Sequence, residues 1–124
     1  MRTLRSVAEI GVGLVYAAGA IFNAVYTLRN TERFYGTWAD GAWSNPARSF
    51  IRNVVIPNGR LFTLVLIAFQ VAISIAILTR GAAVQPALFA GGSFAVAVAF
   101  FSSPGGAVGN LVLAAIQYAL ALAR

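Results

Sequence analysis

Four long apolar runs fill most of this chain, and they leave room for little except helices that cross a bilayer. The first covers residues 7–28, broken only by Glu9 near its start and Asn23 near its end. As a helix rising ~1.5 Å per residue it would span ~33 Å, enough to cross. The others cover residues 61–78, 83–101 and 107–123. The short connectors at 79–81 and 102–106 make consecutive helices antiparallel neighbours. With 60% hydrophobic and 10% charged residues, the chain has too few polar groups to cover a water-soluble surface. The expectation is an all-α membrane protein: one domain over residues 1–124, folded as a bundle of four transmembrane helices.

Residues 1–24 have the outline of a signal peptide, with Arg2 and Arg5, an apolar core and Ala18-Gly19-Ala20 as a cleavage-like site. The apolar run is longer than a leader needs, so a retained first span is expected. Pro86 falls in the first turn of the third helix and Pro104 beyond its end, where a missing N–H costs least.

The connector of about 30 residues between the first two spans is longer than a usual helix–helix connection. Within it Ala47, Phe50, Ile51, Val54 and Val55 recur at helical spacing, opposite Arg48, Ser49, Arg52 and Asn53. This pattern predicts an amphipathic helix over 46–56, lying along the membrane surface or folded over the bundle. Ser44 or Asn45 caps it, Pro46 suits its first turn, and Pro57-Asn58-Gly59 stops it before the second span. Phe34, Tyr35, Trp38 and Trp43 precede it as an interfacial aromatic belt or the rim of a binding cavity.

Helices in lipid associate through close packing and polar contacts, so small residues mark candidate interfaces. Gly13, Ala17, Ala20 and Ala24 share a face of the first helix, Ala68, Ala72 and Ala76 line the second, and Ala87, Gly91, Ala95 and Ala99 form a ladder on the third.

Few residues carry chemistry. Cysteine and histidine are absent, which removes thiol chemistry and the common zinc, haem and iron–sulfur ligand sets, and no metal site is expected. Nine arginines against three acids give a charge of +6. They sit beside and between apolar runs rather than on one continuous basic face, which argues against nucleic acid as a partner. Glu9 is the one acid inside a span. Arg5, four residues earlier, is placed to pair with it; the alternative is a proton or ligand site. Asn23, Gln70, Ser74, Asn110 and Gln117 should point inward, since each would be costly facing hydrocarbon alone. Gln70, nearest mid-span, would join an interhelical network or read a carbonyl of a ligand. The candidate ligand-binding residues are therefore Glu9, Asn23, Gln70, Trp38 and Trp43. Arg29, Arg33, Arg48, Arg52 and Arg60 crowd the connector as candidates for lipid phosphates.

The first two spans and their connector resemble the DoxX-like family of small four-helix membrane proteins. The resemblance is carried by Gly11-Val12-Gly13-Leu14 through Tyr16-Ala17-Ala18-Gly19, by Phe34-Tyr35, and by the run 64–78 followed by Arg80-Gly81. It implies a four-helix membrane fold, possible membership of a larger complex, and quinone as a possible cofactor. Family members often carry a glutamate near the place of Gln70, and the amide here puts any role needing charge at that position in doubt.

Three functions follow in order of preference. The first is an accessory or scaffold subunit of a membrane complex, without catalysis of its own, partnered by lipids and by another membrane protein or a second copy. The second is a quinone- or lipid-binding membrane protein; the third is a small proton-coupled transporter using Glu9. A multi-pass cell-membrane location is expected, with both termini cytoplasmic.

Overall fold

The computed structural model describes residues 2–124; Met1, the start of the leader-like stretch, lies outside them. The described residues are helical from end to end, joined by short turns, with no strand among them. Helix α1 spans Arg2–Val25 and is followed by a tight turn at Thr27–Arg29. The connector forms α2 (Thr31–Gly41) and α3 (Asn45–Phe50). Then come α4 (Gly59–Leu78), α5 (Val84–Phe100) and α6 (Pro104–Leu122). Three helical paths, Arg2–Arg29, Asn45–Leu78 and Pro104–Leu122, are long and apolar enough to cross a membrane, and α5 is a shorter apolar helix of 17 residues.

Two boundaries differ from the sequence reading. Pro57-Asn58-Gly59 does not separate the connector helix from the second span. Instead α3 runs on through one widened turn, Ile51–Val55, and one tightened turn, Ile56–Asn58, into α4. Pro57 removes a single backbone donor, and the turns on either side absorb the loss by changing their winding. The Ile56 amide donates to Ile51 O, five residues back, and Asn58 Nδ2 donates to Val54 O at 2.9 Å. Helix α6 also starts earlier than its apolar run. Ser103 Oγ accepts from the Gly106 amide at 3.2 Å and Pro104 occupies the first turn, so Pro104 opens α6 rather than merely ending α5.

Helix α1 lies antiparallel along α4, and α5 along α6. The expected ladder on α5 is buried at all four positions, Ala87, Gly91, Ala95 and Ala99. The alanine stripe of α4 is partly buried at one end only: Ala76 packs against the core, Ala68 and Ala72 are exposed, and α4 turns Thr63, Ile73, Ser74 and Ile77 inward. The small residues of α1 decide this. Gly13 faces Leu78 and Ile77, and Gly19 faces the Gln70 amide so closely that an added methyl would lie 2.7 Å from Nε2. Large groups of α4 fill the room that glycine leaves on α1. Ser74 Oγ donates to Gly13 O at 2.9 Å.

The two pairs join at the end that holds the chain termini. There Val12, Tyr16, Ile73, Ile77, Val84 and Leu88 form one core. Tyr16 Oη lies 3.0 Å from both Gly91 O and Gln117 Oε1, crossing from α1 to α5 and α6. A second core lies wholly at the connector end, where Tyr35, Ala39, Ala42, Ala47, Ile51 and Val55 pack together and Phe101 inserts beside them.

Candidate functional site

Glu9 stands two turns into α1 and is fully buried. Its expected partner Arg5 does not pair with it: Arg5 Nη1 donates instead to Ala123 O at 3.0 Å, and its Nε is buried without a partner. The carboxylate is taken by two residues distant in sequence. Arg80 Nη2 lies 2.6 Å from Oε1, and Arg124 Nη1 lies 3.4 Å from both oxygens. Arg80 reaches Glu9 because the turn after α4 places it at φ 60°, the left-handed region usually left to glycine. That conformation costs roughly 1–2 kcal/mol for a residue with a Cβ, offset by the charged hydrogen bonds it permits. This centre ties α1, the α4–α5 turn and the end of α6 together.

Above Tyr16, towards the connector, the two helix pairs part and enclose a cleft of about 1130 Å³. That exceeds the range of about 300–1,000 Å³ usual for sites that hold small molecules. Its walls are aromatic and aliphatic: Phe22 from α1 and Tyr26 just beyond it, Phe62, Leu66 and Phe69 from α4, Phe94 and Val98 from α5, and Leu113 from α6. Phe34, Tyr35 and Trp38 of α2, with Phe50 and Val55, close the connector side. Val15, Phe22 and Val65 line the cleft while about half or more exposed, at 54%, 49% and 61%. The cleft is therefore open along the apolar flank of the bundle.

Polar groups are few: an amide pair at mid-depth, Asn110 of α6, whose Nδ2 donates to Gly106 O at 2.9 Å, and a set at the connector end. Asn23 and Gln70 both line the wall, and Asn23 Nδ2 donates to Gln70 Oε1 at 2.8 Å. This bond leaves Gln70 Nε2 as a donor and Asn23 Oδ1 as an acceptor without a side-chain partner. The amide pair lies ~16 Å along α4 from Gly59, counting ~1.5 Å per residue. At the connector end the cleft meets Thr37 and Arg33. Tyr35 Oη and Thr63 Oγ1 share a hydrogen bond of 2.7 Å there. Burial pushes the Tyr35 phenol above its ordinary range, and the bond to Thr63 partly offsets this.

Of the sequence candidates, the fold brings Asn23, Gln70 and Trp38 into one wall. It leaves out Glu9, which sits below the core, and Trp43, whose indole Nε1 donates to Phe100 O at 2.6 Å. Trp43 N also donates to Ser102 O at 3.0 Å, so this residue fastens the α2–α3 turn to the α5–α6 turn.

The five connector arginines separate as well. Arg48 donates to Ala39 O, Ala42 O and Asn45 Oδ1, and Arg52 pairs with Asp40. Arg29 and Arg33 border a polar hollow beside the cleft with Asn30, Thr31 and Glu32, while Arg60 borders neither space. The wall that α5 supplies to the cleft escaped the sequence reading. Its one signal is the recurrence of Phe94, Val98 and Phe101 near helical spacing.

Among the described residues no group of three histidine, cysteine, aspartate or glutamate side chains gathers into a metal-binding set. No family model, curated protein or solved structure matches the chain.

Proposed function

We infer that this chain crosses the membrane four times and holds a lipid-like amphiphile in the cleft between its helix pairs. The observation that carries this reading is the cleft itself: a large, aromatic-walled space, open on the apolar flank, with one amide pair halfway down and a cation at its mouth. An apolar chain entering from the side would replace lipid contacts with ring contacts, and the amide pair offers one donor and one acceptor to an ester or hydroxyl. In this arrangement α2 and α3 lie in the headgroup layer as a cap, with Ala47, Ile51 and Val55 turned inward. Quinone, with its paired carbonyls, is one amphiphile of this kind. The DoxX-like resemblance favours the same four-span topology and a cytoplasmic location for both termini in the cell membrane.

Mild release of the tagged protein from its own membrane, followed by native mass spectrometry, tests the binding reading. One amphiphile per chain is expected, lost in Ala97→Trp, which places a large ring where Ala97 of α5 lines the cleft. A stoichiometric protein partner and an empty cleft would place the accessory-subunit reading ahead. For topology, cysteine introduced at Arg2 should resist a membrane-impermeant reagent while cysteine at Asp40 reacts; labelling at position 2 alone would reverse the orientation.

A further inference from the structure

The connector arginines are unequal, and the inequality says what kind of headgroup the cleft takes. Arg48 and Arg52 are consumed by hydrogen bonds and an ion pair within the connector. Arg33 has no side-chain hydrogen bond or ion pair among the described residues, and it lines both the cleft and the adjoining hollow of about 630 Å³. The hollow adds Arg29 and one acid, Glu32, so positive charge exceeds negative there; no acid lines the cleft.

The level of Arg33 is fixed by packing. Gly59, the first residue of α4, abuts Thr31, the first residue of α2, so Arg33 stands level with the first turn of α4, at the connector end of the cleft. A guanidinium there meets an anion at the surface, while the chain attached to that anion lies against the rings below, towards Asn23 and Gln70.

Resting on the reading of the cleft as an amphiphile site, we propose that it selects acidic lipids, with Arg33 holding the phosphate or carboxylate of the headgroup and Arg29 standing second. A guanidinium gives a phosphate two parallel hydrogen bonds, which a zwitterionic headgroup satisfies less well because it carries its own cation. The general attraction of a basic surface for anionic lipid would be shared by every connector arginine. Selection at the cleft belongs to Arg33.

The test uses the full chain in phosphatidylcholine vesicles doped with mid-chain brominated phosphatidylglycerol or, at equal mole fraction, brominated phosphatidylcholine. Quenching of Trp38 is read in Trp43→Phe, where it is the sole tryptophan. About fivefold stronger apparent binding of the acidic lipid is expected, falling to near parity in Arg33→Gln and persisting in Arg60→Gln. Bound lipid counted by mass spectrometry in proteins that keep Trp43 gives the same comparison if Trp43→Phe fails to fold. Equal binding of both lipids, or a preference that survives Arg33→Gln, would overturn the headgroup assignment and leave the cleft as a lipid site. Absence of either lipid from the cleft would overturn the binding reading itself. Displacement of phosphatidylglycerol by millimolar inorganic phosphate would assign Arg33 to a soluble anion instead.

Discussion

The two ends of the bundle use polar residues in opposite ways. At the termini end a buried carboxylate and two arginines are drawn from three separate segments and spent on one another, with Tyr16, Gly91 and Gln117 locking the helices just above. At the connector end the helices part, and the polar groups lining the cleft retain donors and acceptors that the fold does not use. The first arrangement makes a fixed joint; the second makes a container. The helix pairs close on one another at the termini end and part towards the connector, where α2, α3 and Trp43 bridge the gap above the cleft.

The comparison breaks if the termini end is not the joint. Glu9→Gln strands Arg80 in its left-handed conformation and frees Arg124, and removal of one partner from a buried ion pair costs about 3 kcal/mol. Thermal unfolding in mild detergent should show a larger loss for it than for substitutions at Gly91, the amide pair or Tyr35, while Arg5→Gln, which leaves Glu9 its two partners, should change little. Gly91→Ala comes next. The added methyl collides with the Gln117 amide and lies 2.7 Å from the Tyr16 hydroxyl, and overpacking of this kind costs about 1–3 kcal/mol, read by the same melt.

The amide pair sharpens the contrast. Asn23 and Gln70 should couple by only about 0.6 kcal/mol in a double-mutant cycle, the average for such pairs in a membrane protein. Yet Gln70→Leu should reduce retention of the bound amphiphile by more than its effect on stability. Equal losses in both would make the pair a structural tie like those at the termini end.

The smallest effect concerns Tyr35. Its phenol is held above the ordinary value of 10 by burial, so the stability linked to it is fully present below pH 10 and is lost as pH rises through the raised value. In Tyr35→Phe the late phenolate signal of a spectroscopic titration should fall by one tyrosine.

The cleft was partly legible in the sequence. Asn23 and Gln70 stood out because an amide inside an apolar run must find a partner, and Trp38 because of its place in an aromatic stretch. Nothing local could join them, since the two amides lie 47 positions apart and their meeting depends on Gly19 admitting the Gln70 side chain. The Arg5–Glu9 expectation failed for a related reason. Spacing of i to i+4 makes a pair possible on an isolated helix, but Arg80 and Arg124 enter from elsewhere and Arg5 finds the Ala123 carbonyl. The alanines of α4 read as an interface by their spacing alone, whereas its inward face was settled by the glycines of its partner.

Composition and the apolar runs by themselves determined that this chain is helical and apolar enough for a bilayer, because backbone groups in hydrocarbon must be satisfied within their own segment. Spacing and turn residues determined most helix bounds. Tertiary structure alone decided which cations neutralise Glu9, which arginines remain free, and that the helix pairs part on one side of Tyr16. Those outcomes depend on contacts between residues far apart in the chain, where the size of one side chain sets the room available to another.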